Sequence, residues 1–368
     1  MNKRRTIITA AVLAILAGLI YLQVRTWRKF DWHRFIAATE HTSKGYLIGG
    51  IALVYADYLL RAVRWKILLQ PVCETRASRL IAPTMIGFTG ISLLGRPGEF
   101  IRPYLIARKE NLKMSSQLAV WTVERIFDMG AFGLIMAVNI LWAADSLRRL
   151  PGFLEAPQKQ VGRWHLSSFA LFELSGLALL VLVALIAAVA FWIRRNPAKA
   201  SAFFRRIFGV ISPRVGEGAY HRVHAFGEGL NTIKNFKSFL QVSGLSIAIW
   251  LIIGFAYVSV THAYHRLAHF SLATVLLLTA GSVMGGILQL PVVGGGSQLA
   301  TIAILKQILL PDRPGMAELA TSCGIMLWLI TFMSVIPAGL VLAHFERISL
   351  LKIEEESQQE EVKALEEG

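Results

Sequence analysis

GRPGEFIRPYL, residues 95–105, sits between long apolar runs, and how it is read decides how the chain folds. It holds Arg96, Glu99 and Arg102 together with two prolines and two glycines. Before it runs LIAPTMIGFTGISLL, residues 80–94, fifteen residues long. A full bilayer crossing needs about 20 apolar residues. After it comes a basic stretch reaching Lys113. A short apolar piece, a Gly/Pro break and a return to charge predict a re-entrant helix pair over 80–107, since irregular backbone at membrane depth is tolerated only against protein or water. Pro97 suits a first helical position, so the helix bearing Glu99 is expected to start there, where its dipole favours an acid.

Composition carries the same reading to the whole chain. Of 368 residues, 55% are hydrophobic and only 17% charged, against about 25% charged in soluble domains. Mean hydropathy is +0.54. The apolar residues come in blocks, which predicts an all-α polytopic integral membrane bundle. Expected spans are 6–24, 46–63, the pair 80–107, 117–144, 169–193, 239–262, a second broken pair 272–310, and 319–344, in one transmembrane domain, 1–345. The second pair carries Pro291 and the triplet Gly294, Gly295, Gly296. If each pair returns to its own side, the two enter from opposite faces, a layout compatible with inverted repeats. The first span follows MNKRR and runs into RTWRKFDW without a small-residue cleavage site, so it is expected to remain uncleaved.

Net charge is +15. The basic residues fall in loops between apolar blocks, above all in the linker 194–238, while the tail 346–368 has eight glutamates against Arg347, Lys352 and Lys363. This pattern fits a cytoplasmic linker, cytoplasmic N- and C-termini and contact with anionic lipid, not nucleic acid. Cys73 and Cys323 form no CxxC or Cys/His set, so neither a disulfide framework nor a structural metal is expected. No GxxxxGK[ST] is present, and no cofactor is expected.

Three charged groups lie in or beside apolar helices. Asp57, Arg61 and Arg64 share one helix face by their spacing of four and three; Arg96, Glu99 and Arg102 form the second group; Glu124, Arg125 and Asp128 form the third. Glu124 and Asp128, four apart, repel each other and require cations from another element: Arg61, Arg64, Arg96 or Arg102. An intramembrane charge costs about 2.5–3.5 kcal/mol even on the lenient insertion scale. Several together imply ion pairing, a hydrated cavity or a charged ligand. The plain alternative is that Arg61, Arg64 and Arg102 are flank arginines that snorkel to the surface. Arginine's planar fork suits phosphate, which points to a phospholipid headgroup. Glycines in PVVGGGSQ would let backbone N–H groups approach it, although a glycine break is more often a hinge.

DYLLRAVRWKILLQP (57–71), GRPGEFIRPYLIAR (95–108), AVWTVERIFD (119–128) and LPVVGGGSQ (290–298) occur in this order. The combination resembles the flippase-like membrane family that includes the transmembrane region of lysylphosphatidylglycerol synthases, over roughly residues 40–345. The resemblance implies a multi-pass inner-membrane protein that moves a polar lipid between leaflets. It implies a substrate site at Arg61, Arg64, Trp65, Arg96, Gly98, Glu99, Arg102, Glu124, Arg125 and Asp128, with the glycine turn at Gly294, Gly295 and Gly296. Two departures stand out. Gln298 occupies a position where the family often has Glu, which weakens a cationic headgroup as cargo. The acidic tail stands where the synthases carry a soluble aminoacyl-transfer domain, so a stand-alone relative is expected.

Three functions follow. The leading one is a lipid flippase whose cavity of Arg and Glu replaces headgroup hydration. A membrane-embedded transferase using Glu99, Glu124 or Asp128 as base is the second, without HExxH, GxSxG or a Cys/His set to support it. The third is a scaffold that docks lipid-biosynthesis enzymes on the linker and tail.

Overall fold

The structure, a computed structural model, describes residues 32–40, 42–151, 159–161, 164–166, 168–210, 236–286, 295–309 and 315–346, with short runs between 212 and 223. The expected span 6–24, Gly294 and most of the acidic tail lie outside the described residues.

The fold is helical and multi-pass. The helices are α1 (Trp32–Glu40), α2 (Lys44–Leu69), α3 (Ala77–Leu94), α4 (Ile101–Glu110), α5 (Met114–Trp142), α6 (Ser168–Arg195), α7 (Pro197–Gly209), α8 (Phe236–His262), α9 (Leu272–Gly285), α10 (Gly295–Ile304), α11 (Met316–Trp328) and α12 (Val335–Phe345). Among the described residues, five stretches are long and apolar enough to cross a bilayer: Lys44–Leu69, Ala77–Leu94, Met114–Trp142, Lys237–His262 and Met316–Phe345. A short antiparallel ribbon pairs Lys159–Val161 with Trp164–Leu166.

Lipid supplies no hydrophobic drive between helices, so close approach at small residues holds such a bundle together. α2 and α8 show this. They run antiparallel: Ser43 N–H donates to the Ala263 carbonyl at 2.9 Å and Ser259 Oγ to the Tyr46 carbonyl at 2.6 Å. Gly49 faces Ser259 and Gly50 faces Val260 and Ala256, so a methyl at either would crowd the partner helix. α5 and α6 are likewise antiparallel, with Gly133 against Leu179 and Val183 and Gly176 against Ile140.

These contacts assign each helix end to one of two sides. On one side α2, α4 and α6 finish and α3, α5 and α8 begin. Arg76, Arg79, Arg108, Lys109, Lys113 and Arg195 gather there, and it is called the basic end below. Glu346, just past α12, pairs with Lys109 at 2.5 Å, so α12 also finishes there. On the other side α2 and α11 begin and α8 finishes; Tyr264 Oη lies 3.0 Å from Ser322 Oγ.

The opening stretch is a reversal. α3 leaves the basic end, Gly95 turns with φ 73 and ψ −142, a backbone conformation open to glycine, and α4 returns. Gly87 packs on Arg102, Gly90 on Ile101, and Gly98 directly on the Gly90 backbone. The turn itself, Arg96–Phe100, is 3-10. The α-helix therefore begins at Ile101, not at Pro97 as the sequence suggested; Pro97 opens the tighter turn instead. Asn111, left-handed at φ 52, ends α4. The second hairpin runs the other way. α9 begins beside the end of α5, where Asn139 Nδ2 donates to the Ala273 carbonyl at 3.0 Å. α10 comes back along it, with Gly285 against Gly296 and Ala300 and Gly281 against Ile304. The hairpins thus open on opposite ends of the bundle.

Between α11 and α12 the helix widens into a π turn, Leu329–Met333. Hydroxyls of neighbouring helices meet the carbonyls there: Ser92 Oγ donates to Phe332 O at 2.8 Å, Thr89 Oγ1 to Val335 O at 3.2 Å and Tyr55 Oη to Ser334 O at 2.8 Å. A helix irregular at membrane depth needs such partners.

Candidate functional site: a buried ion network

Two turns of α2 place Asp57, Arg61 and Arg64 on one face, and that face turns inward: Arg64 is fully buried, and Asp57 and Arg61 nearly so. α5 presents Glu124 and Asp128 to it. Glu124 lies about ten residues into α5, roughly 15 Å from its start at 1.5 Å per residue. Arg64 bridges both acids, with Nη2 to Glu124 Oε1 at 2.6 Å and Nη1 to Asp128 Oδ1 at 2.6 Å. Its Nη1 also reaches Ser246 Oγ of α8 at 2.8 Å. Arg61 holds Asp57 at 2.9 Å and lies 3.7 Å from Asp128.

The hairpin arm completes the network. Arg102, in the first turn of α4, forks onto Glu124: Nη2 pairs with Oε2, and Nη1 donates to Oε1 at 3.2 Å. Its guanidinium lies 4.1 Å over the Trp65 ring and 5.4 Å over Phe88. Trp65 Nε1 in turn donates to Gln117 Oε1 at 3.2 Å. Arg61 stands 5.0 Å over the other ring, Phe88. These arginines do not snorkel. Phe88 and the indole take the place of solvent around two of the cations.

Arg125 sits at the rim. Its Nη2 approaches Glu124 Oε2 at 3.5 Å and Asp128 Oδ2 at 3.4 Å, and its side chain is 37% exposed. Among the described residues its buried Nε has no hydrogen-bond partner, and neither does the Nε of Arg64. Among the described residues, Arg61, Arg64, Arg102 and Arg125 face Asp57, Glu124 and Asp128, so the network there carries one cation in excess.

Of the residues expected to form a site, Arg61, Arg64, Trp65, Arg102, Glu124, Arg125 and Asp128 come together. Arg96 and Glu99 do not join them. They pair with each other at 3.2 Å on the hairpin tip, where the Arg96 side chain is 54% exposed. Gly98 serves the close packing of that tip. Gly295 and Gly296 open α10 on the second hairpin, and Gln298 lies in its first turn, partly buried. That hairpin has polar contacts of its own: Ser282 Oγ lies 2.7 Å from both Ser297 Oγ and Tyr257 Oη. Sequence reasoning missed Ser246, Gln117 and Phe88. A serine or phenylalanine in an apolar helix carries no mark of its partner, and Gln117 alone, a polar residue among apolar ones near the start of a span, gave a weak signal.

The fold and the network define a multi-pass membrane protein with an ionic centre inside its helix bundle. The family profile described as "Lysylphosphatidylglycerol synthase TM region" matches residues 7–340, and the chain belongs to that family. Comparison with curated proteins returns no match. Membership ties the protein to lipid metabolism in the membrane.

Proposed function

We propose that the protein translocates a polar or phosphate-bearing lipid between leaflets, using the ion network as the polar wall of its path. The observation that carries this reading is the excess cation. Charge pairing alone is best served by equal numbers, whereas four arginines against three carboxylates among the described residues leave room for one anion. Arg125 and Arg102 are the positions to receive it. Arg125 is reachable from outside and only loosely held by its acids. Arg102 rides on the hairpin arm, in the first turn of α4. A phosphate oxygen there would take over hydrogen bonds that water gives the headgroup in bulk, while the acyl chains stay in lipid. Arg96 and Glu99 at the tip, and the glycine turn with Gln298 on the second hairpin, would line further parts of the route.

In this reading both hairpins are re-entrant and the basic end faces the cytoplasm of an inner membrane, as the distribution of Lys and Arg supports. The termini are then cytoplasmic, and lipid-synthesis enzymes are natural neighbours. A transferase is less well supported: both oxygens of Glu124 are engaged by guanidinium groups, which suits a fixed counter-ion better than a proton acceptor.

Lipid co-purified with the full chain in mild detergent tests the proposal. Mass spectrometry should find one headgroup class enriched over the host membrane, and Arg125→Ala should reduce that enrichment. A lipid profile matching the bulk membrane in both proteins would count against it.

A further inference from the structure

We infer that α7, Pro197–Gly209, is an in-plane helix that docks on an anionic bilayer surface at the basic end. It begins two residues after α6 finishes at Arg195. At no more than about 3.6 Å per residue, the chain cannot leave the neighbourhood of that helix end before α7 starts.

The helix has two distinct apolar aspects. Ala200 and Ser201 are buried and Phe204 partly so; Ala200 and Phe204 pack in the cluster that holds Trp65, Val123, Ile193 and Val242, the wall beside the ion network. Phe203 and Ile207 lie one turn apart on the adjoining face and are 50% and 47% exposed. No soluble partner is needed to explain them. Phe203 packs edge-on against Trp192 of α6 at 5.4 Å, so its face continues the outer surface of that helix, where Leu174, Leu177, Val181 and Leu185 are exposed as lipid-facing residues would be. Lys199 and Arg206 are exposed beside the Phe203–Ile207 stripe. Arg205, on another face, is engaged by Glu217 at 3.5 Å and by the Tyr220 ring. Aromatic and aliphatic side chains flanked by cations at the end of a span match acyl chains below and anionic headgroups above. A lipid-held α7 would brace the wall of the network from the membrane surface.

The test places p-benzoylphenylalanine at Phe203, Ile207 or, as control off the apolar stripe, Ala202. The full chain is reconstituted in nanodiscs of phosphatidylcholine with and without phosphatidylglycerol. Positions 203 and 207 should cross-link lipid several-fold more than 202. That yield should rise with phosphatidylglycerol and lose the rise in Lys199→Gln/Arg206→Gln. Equal yields at all three positions, indifference to phosphatidylglycerol, or adducts to a second protein molecule in place of lipid adducts would overturn the inference. The readout is lipid contact and not exchange between leaflets, so it is independent of the translocation proposal.

Discussion

Arg102 lies 4.1 Å above the ring of Trp65 while its fork closes on Glu124, so one residue of the hairpin arm is clamped by both α2 and α5. The arm has no other buried cation-to-acid tether among the described residues. Arg102→Lys keeps the charge but loses the fork and most of the stacking. Leaflet exchange should fall in both Arg102→Lys and Arg102→Ala, more in the latter. Full activity in the lysine variant would show that charge alone suffices.

Arg64 should dominate stability. Removing one member of a buried ion pair costs about 3–5 kcal/mol, because the partners are left uncompensated. Arg64→Ala deprives Glu124, Asp128 and Ser246 at once. Arg96→Ala, at an exposed pair, should cost at most about 1 kcal/mol. Thermal unfolding in detergent separates the two; equal shifts would mean that the network is not buried as described.

Arg96 is where stability and transport should part. Arg96→Ala and Arg96→Lys should lower exchange while leaving the melting temperature nearly unchanged. If Arg96→Lys exchanges lipid at the wild-type rate, a phosphate fork at the hairpin tip is ruled out.

Glu124→Gln and Glu124→Arg should differ. The amide keeps an acceptor for Arg64 and Arg102, whereas the arginine adds a cation to a centre already one in excess. Charge reversal should therefore yield less folded protein and less exchange. Equal losses would point to a specific hydrogen-bond geometry rather than charge balance.

The glycines give a sharper packing test. A Cβ at Gly98 would collide with the Gly90 backbone, while one at Gly130 meets nothing within 4 Å. Gly98→Ala should open the hairpin and destabilise the protein. Gly130→Ala, in a helix interior, should be neutral or stabilise by about 0.5–1 kcal/mol.

Much of this architecture could be read from residue order. Apolar blocks, a short run before GRPGEF and Gly/Pro breaks are signals of covalent spacing, and spacing is what sequence displays. The pairing of Glu124 and Asp128 with arginines of other helices followed from repulsion between acids four apart. What escaped was which arginines answer. Arg96 and Arg102 look equivalent in the sequence, but the 3-10 turn keeps Arg96 beside Glu99 on the tip, whereas α4 starts at Ile101 and swings Arg102 into the bundle. The partners contributed by α8 and α3, Ser246 and Phe88, are set by tertiary packing that no local pattern records. The π turn at Leu329–Met333 is equally silent, since its carbonyls depend on hydroxyls from α2 and α3.

The most direct test is leaflet exchange of labelled lipids in proteoliposomes of the full chain, with anionic, zwitterionic and isoprenoid lipids each assayed against empty vesicles. Exchange of at least one phosphate-bearing lipid should be accelerated, and the acceleration should be lost in a folded Arg102→Ala variant. Exchange no faster than empty vesicles for every class, or rates untouched by Arg102→Ala, would contradict the proposed translocation.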